Sequence, residues 1–313
     1  MPKFQLKLFS GTSHRKLAED IAKGLGAKLS QMEVYKFACG ETYARALETV
    51  RGCNVFVVQT ATHNVNEDLM ELFVIIDALK RSFAKRIHVV MPHYAYARQD
   101  RVALPREPIS AKLVADLLSA AGADHVIAVN LHSDQEQGFF DFPVDNLNCL
   151  KLFTDYFKKK KLKNITVVSP DAGGAKDAKK LADKLGATLA VIHKARPAPN
   201  KSYVTHVVGE VKGRTCVLYD DMIDTGGSIC AAMEALLAQG AKKDIYVAAT
   251  HAVFSDPAVS RLKKAKFKEV IVTDSIPLPK EKQFNGLKVL SIAPLLAKTI
   301  KSVHEEKSVT ANL

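Results

Sequence analysis

Short runs of β-branched and apolar residues alternate along this chain with longer stretches whose apolar positions recur every three or four residues. The first kind predicts strands over 5–9, 55–59, 87–91, 125–129, 165–169, 188–193, 215–219, 244–250, 269–273 and 288–291. The second predicts helices over 14–25, 67–82, 110–120, 150–160, 176–185, 228–238 and 294–304. Such alternation defines an α/β fold built on mainly parallel sheets flanked by helices. The 313 residues suit two domains. Each half shows apolar strands ending in polar loops that open helices, and the boundary is expected near 146–150, giving domains 1–148 and 149–313. Ligands of such folds bind at the carboxyl ends of strands, so the strand ends deserve the closest reading.

One of them stands out. Residues 217–228 read VLYDDMIDTGGS. An apolar strand meets Asp220 and Asp221, and Asp224, Thr225, Gly226, Gly227 and Ser228 then open a helical pattern. Glycines let backbone curl closely around an anion, and the first turn of a helix offers it free N–H groups. The paired acids would repel phosphate, but they suit hydroxyls or a divalent metal. Phosphate at one end and vicinal hydroxyls at the other describe a ribose 5-phosphate.

Four further clusters follow predicted strands. YAYARQDR at 94–101 supplies Arg98, able to grip phosphate in a bidentate fork, with Gln99 and Asp100 to hold polar ligand atoms; the VALPREP that follows reads as a flap. NLHSDQEQGFFDFPVD at 130–145 supplies His132, suited to a metal or a phosphate, while Phe139, Phe140 and Phe142 suit core or interface. SPDAGG at 169–174 supplies Asp171 as a metal-site carboxylate. HKAR at 193–196 supplies Lys194 and Arg196, cations placed to meet developing phosphate charge. No G-x-x-x-x-G-K-[ST] is present, which excludes a P-loop kinase. Cations, carboxylates and a phosphate cradle favour direct transfer onto a sugar hydroxyl.

Composition narrows the partners. The formal net charge of +12 suits anionic substrates, nucleic acid or merely a solvated surface. Lys158–Lys161 close a helical pattern, where cations favour the macrodipole, and no aromatics are interleaved to stack on bases; nucleic acid is not expected as a partner. The five cysteines are scattered without a C-x-x-C, which argues against zinc and a disulfide framework and fits a reducing cytoplasm. No apolar run approaches a membrane span, and the opening MPKFQLKLFSGTSH lacks the apolar centre of a signal peptide.

Together these motifs resemble the ribose-phosphate pyrophosphokinases (phosphoribosyl pyrophosphate synthetases). FSGTSH, FACGE, EDLMEL, YARQD, PISAKLVA, LHSDQEQGFFDFPVD, VSPDAGGAK, IHKAR and DDMIDTGGS occur in the family's order over nearly the whole chain. The resemblance implies two phosphoribosyltransferase-like domains. It also implies magnesium-dependent transfer of the diphosphoryl group of ATP to the anomeric hydroxyl of ribose 5-phosphate, for nucleotide biosynthesis. Asp224–Ser228 would then cradle the 5-phosphate, and Asp220 and Asp221 would hold the ribose hydroxyls, Asp220 with the metal. Arg98, Gln99 and Asp100 would bind ATP, joined by Phe37, Cys39 and Glu41 of a hairpin that reaches in from a neighbouring subunit. His132 and Asp171 would sit at the metal–ATP site, and Lys194 and Arg196 would be catalytic. A homo-oligomer built from dimers, commonly a hexamer, is implied, as is a regulatory site for inorganic phosphate and ADP that draws on Arg51, Arg106, Asp134, Gln137, Asp145, Ser308 and Thr310.

Four departures bear on these expectations. Cys39 stands where the family has an acceptor for the adenine amino group; a thiol is a weak acceptor, so selection for ATP should relax. Asn130 replaces an acid, and Val102–Leu104 replace charge in the flap. Asp134 replaces a small hydroxyl residue and should repel an anionic effector, weakening phosphate activation and ADP inhibition. Two rivals share parts of the pattern: a non-catalytic regulatory relative, and a phosphoribosyltransferase, which would need neither YARQD nor a second domain.

Overall fold

The computed structural model describes residues 4–198 and 201–310, with backbone alone over 194–198 and 201–205. The chain forms two compact units. The first runs to Asn148 and also takes in Ser275–Pro277 and the segment from Ser291 onward; the second comprises Cys149–Asp274 and Leu278–Leu290.

The first unit is built from β1 (Leu6–Ser10), α1 (Arg15–Leu25), β2 (Met32–Lys36), β3 (Thr42–Ala46), β4 (Asn54–Val58), α2 (Val65–Arg81), β5 (Arg86–Met91), α3 (Ser110–Ala121), β6 (His125–Val129) and β7 (Val144–Leu147). Its sheet has the order β1-β4-β5-β6-β7, parallel throughout. Every residue of β4 and β6 is buried, the condition under which strands read as unbroken apolar runs. Phe9, Val57, Leu72, Ile75 and Val89 lie in its core, which Phe140 joins while Phe139 and Phe142 pack against it. β2 and β3 form an antiparallel hairpin of their own. They escape the sequence reading because their residues are half-buried or exposed, which leaves no clear apolar run.

The motif FSGTSH turns the chain after β1 through a buried polar network. The Glu71 carboxylate accepts the Thr12 N–H and hydroxyl at 2.6 Å each, and Gln59 donates to it at 2.9 Å. A Cβ on Gly11 would lie 2.3 Å from Gln59 Oε1, so a larger residue there would have to displace this network.

The second unit holds α4 (Leu150–Lys160), β8 (Ile165–Ser169), α5 (Ala175–Leu185), β9 (Thr188–Ala198), β10 (Lys201–Val208), β11 (Thr215–Ile223), α6 (Gly227–Ala238), β12 (Tyr246–Ala252), α7 (Ala258–Ala265), β13 (Glu269–Thr273) and β14 (Leu287–Leu290). Its sheet runs β10-β9-β8-β11-β12-β13-β14, with β10 antiparallel to β9 and the other pairs parallel. Lys158, Lys159 and Lys160 occupy the last turn of α4, the favourable end for cations. β9 continues through 194–198 instead of ending at His193, so HKAR belongs to the strand and not to a loop after it. β11 likewise extends beyond Tyr219 through both acids to Ile223. The eight-residue α7 is too short for its periodicity to register.

The last helix, α8 (Ala293–His304), returns to the first unit and packs on α1. Their approach is close: a Cβ on Gly24 would lie 2.9 Å from that of Ala297. Cys53, Cys149 and Cys216 are buried, Cys230 is half-buried, Cys39 is exposed, and all five are free thiols. Among the described residues no helix is long and apolar enough to cross a membrane.

Candidate active site

In the second unit the parallel pairing of β8, β11 and β12 puts the turns that follow them at one edge of the sheet. After β11 the chain passes Asp224 and Thr225 to Gly226, whose φ of 72° is left-handed and suits a residue without a Cβ. The first bond of the α6 ladder runs from the Cys230 N–H to the Gly226 carbonyl at 3.0 Å. The amides of Gly227, Ser228 and Ile229 therefore precede that ladder, at the positive end of the helix. The sequence leads one to expect a phosphate cradle here; the structure puts a left-handed glycine and the first-turn amides of a helix at this position, groups of the kind that attract anions.

Asp220 and Asp221 sit inside the strand just ahead of this turn. Burial, followed by repulsion from Asp221 and then Asp171, pushes the Asp220 carboxyl well above the ordinary carboxylate range. The Asp221 N–H donates to Asp220 Oδ1 at 3.0 Å. Asp171, in the turn after β8, accepts the Gly174 N–H at 3.2 Å, while its carbonyl accepts the Ser169 hydroxyl at 2.6 Å. Asp171, Asp220 and Asp221 thus share one electrostatic neighbourhood, which a hard divalent cation would relieve. Among the described residues no three His, Cys, Asp or Glu side chains converge as a ready metal cage. This donor set fits an ion that shares its coordination with phosphate oxygens and water, the habit of magnesium. The side chains of Lys194 and Arg196 lie outside the described residues; their backbone is part of β9.

In the first unit the turn after β5 is tied to α3. Tyr94 donates its hydroxyl to the Ala111 carbonyl at 2.9 Å, the Gln99 carbonyl accepts the Ala111 N–H at 3.2 Å, and Gln99 Oε1 accepts the Ser110 hydroxyl. Gln99 therefore fastens the loop as well as being available to a ligand through its amide N–H groups. Arg98 is exposed beside it. The flap is exposed from 101 to 109 and is closed by Glu107, which accepts the N–H groups of Ala103 and Leu104 at 3.0 and 2.8 Å. Arg106 holds a left-handed φ of 73° within it.

The turn after β6 carries His132, exposed, into a 3-10 helix over Asp134–Phe139. Asn130 adopts a φ of 48°, a conformation that asparagine tolerates well. Asp134 lies in the first turn of the 3-10 helix, where an acid is electrostatically favoured, and Gln137 donates to its carbonyl at 3.0 Å. Glu136 is a feature the sequence reading passed over. It is fully buried, accepts the Ser133 N–H at 2.8 Å through Oε1, and has no hydrogen-bond partner for Oε2 among the described residues. Burial, with a contribution from Asp100 and against the pull of His132, pushes its carboxyl up to about 7.

The remaining expected residues are spread over the first unit. Phe37–Glu41 form the turn of the β2–β3 hairpin, where the Phe37 N–H donates to the Glu41 carbonyl at 2.8 Å. Exposed Phe37 stands among Tyr35 and Tyr43, with ring centroids 5.5 and 5.9 Å away. Arg51 stacks over Phe83 at 4.2 Å, and Asp145 is engaged by His125 at 3.1 Å. Ser308 and Thr310 are exposed after α8.

Two α/β units, each a mainly parallel sheet flanked by helices, one of them with paired acids and a glycine loop at a strand end, define the class of fold. Residues 6–122 match the N-terminal domain of ribose phosphate pyrophosphokinase, and residues 196–312 match the phosphoribosyl synthetase-associated domain. The ribose-phosphate pyrophosphokinase of Fusobacterium nucleatum is 49% identical over 307 residues, 97% of each chain. That of Bacillus caldolyticus is 50% identical over 306 residues, 98% of this chain and 97% of its own. The crystal structure of phosphoribosylpyrophosphate synthetase from Mycobacterium smegmatis superposes with a TM-score of 0.92 at 50% identity, covering 96% of this chain and 99% of that one. The chain belongs to the ribose-phosphate pyrophosphokinase family.

Proposed function

We propose that this chain transfers the diphosphoryl group of ATP to the anomeric hydroxyl of ribose 5-phosphate, giving phosphoribosyl pyrophosphate and AMP for nucleotide biosynthesis. It is a diphosphotransferase. The observation that carries the assignment of its sugar-phosphate side is the sequence of elements at the end of β11: two acids, a left-handed glycine, and the amide-rich start of α6.

In this reading Asp224, Thr225, Gly226, Gly227 and Ser228 bind the 5-phosphate, and Asp220 and Asp221 orient the ribose hydroxyls. Phe37, Cys39, Glu41, Arg98, Gln99, Asp100 and His132 serve ATP. Magnesium, held by Asp220 and Asp171 with His132 on the nucleotide side, would neutralise the diphosphoryl charge. Lys194 and Arg196 stabilise the charge that shifts as the β-phosphorus changes partners. The protein works in the cytoplasm as a dimer-built homo-oligomer, commonly a hexamer, and Asp134 weakens its response to inorganic phosphate and ADP.

Release of AMP from ATP and magnesium, with and without ribose 5-phosphate, tests the reaction. AMP should form only with the sugar phosphate, and Lys194→Ala should lower turnover by about 10²–10³, as for loss of one preorganised donor. Near-normal turnover in folded Lys194→Ala protein would remove that role. No AMP from a folded protein that still binds phosphoribosyl pyrophosphate would point instead to a regulatory relative. Strong phosphate activation, unchanged by Asp134→Ser, would reject the effector argument.

A further inference from the structure

The turn after β12 brings α7 beside the phosphate loop: the Phe254 N–H donates to the Ile223 carbonyl at 3.0 Å, and Gly226 lies against Ala258. From the second turn of α7, Arg261 reaches the loop, where Nη1 donates to the Thr225 carbonyl at 3.1 Å. The same nitrogen would lie 3.4 Å from a Cβ on Gly227. The charge is also felt one turn into α6, where Arg261 opposes the burial that raises the Cys230 thiol.

This is an unusual place for a cation. The start of a helix is its positive end, and a guanidinium there is repelled unless an anion is present. No Asp or Glu among the described residues forms an ion pair with Arg261; its polar contact is the Thr225 carbonyl. That contact has a directional consequence. In a trans peptide the C=O and N–H point opposite ways, so holding the Thr225 carbonyl fixes the direction of the Gly226 N–H. It also masks a partial negative charge that would otherwise oppose an incoming phosphate.

We propose that Arg261 is a positioning residue for the sugar-phosphate loop. By holding the Thr225 carbonyl and adding its charge at the start of α6, it sets the affinity for the phosphorylated end of ribose 5-phosphate. The inference rests on the loop assignment made above, and it deepens that assignment by adding a residue from outside the loop motif.

Arg261→Met keeps an apolar stem and removes the donors, while Arg261→Lys keeps the charge and N–H donors but not the planar fork or its reach. Ribose 5-phosphate binding by calorimetry and separate KM values for the two substrates are the readouts, with circular dichroism and melting to verify folding. Loss of a charge-assisted contact predicts a Kd and KM for ribose 5-phosphate raised by about ten-fold or more in Arg261→Met. The KM for ATP should stay within about two-fold, the lysine variant should be intermediate, and the salt dependence of ribose 5-phosphate binding should become shallower. Ribose 5-phosphate affinity in Arg261→Met that matches wild type, or equal losses for both substrates, would overturn the proposal. Absence of ribose 5-phosphate binding in the wild-type protein would overturn the loop assignment itself, and this inference with it.

Discussion

Acid should destabilise the first unit through a single buried histidine. His88 on β5 and His125 on β6 are register partners, both buried, with their Nδ1 atoms 3.0 Å apart. His125 Nε2 lies 3.1 Å from Asp145 Oδ2, so it carries the hydrogen that this contact needs. With His125 neutral, its Nδ1 is then the acceptor, and His88 Nδ1 the donor. His88 Nε2 is left bare, without a partner among the described residues, on a ring stacked 4.3 Å from Phe56. A proton arriving there would be buried and unsolvated. Burial first, then the charges of His125, Arg86 and His304, against the opposing pull of Asp145, lower His88 from 6.5 to about 3.

Between those two values the unfolded chain binds a proton that the native chain refuses, so stability falls as pH falls from the ordinary histidine range toward 3. At about pH 5 the deficit is ~2 kcal/mol, and the whole window amounts to ~5 kcal/mol. His88→Asn retains a donor toward His125 and cannot titrate. Urea unfolding of both proteins at fixed concentration, at about pH 8 and about pH 5, compares the slopes. The variant should start lower, because it loses packing against Phe56. It should nonetheless lose ~2 kcal/mol less than wild type on acidification. Equal losses in the two proteins would refute the reasoning.

Asp220→Asn removes a carboxyl whose ionised form burial and its acidic neighbours oppose, so the metal-free variant should melt higher in scanning fluorimetry. On the proposed assignment of Asp220 to the metal, the same variant should gain less thermal stability than wild type from magnesium with substrate, and its turnover should fall steeply. Gly226→Ala places a Cβ on a left-handed residue, with Ala258 at ordinary contact distance. The cost should be about 1–2 kcal/mol by denaturant titration, with weaker ribose 5-phosphate binding. Gly24→Val overpacks the contact of α1 with α8 and should destabilise the first unit by about 1–3 kcal/mol, read as faster proteolytic release of α8.

The buried strands were legible because burial on both faces writes them as continuous apolar runs, as VFVV in β4 and VIAV in β6 show. So was the loop at the end of β11, since its acids and glycines are adjacent in sequence. What escaped notice depends on contacts between distant positions or on short elements. Arg261 meets Thr225 across thirty-six residues, and α7, which carries it, is barely two turns long. Glu136 reads as one more polar residue in a loop; only folding reveals that it is enclosed. The return of α8 to α1 leaves a trace in the chain only as Gly24, whose partner Ala297 cannot be named from sequence.

That return also sets an order of events during synthesis. The whole second unit emerges between the β7 end of the first unit and the helix that covers α1. At about 5–20 residues per second, the first unit waits roughly ten to thirty seconds with α1 uncovered before α8 arrives. During that interval the face of α1 around Gly24, which lies against Ala297 in the finished protein, is without its covering helix.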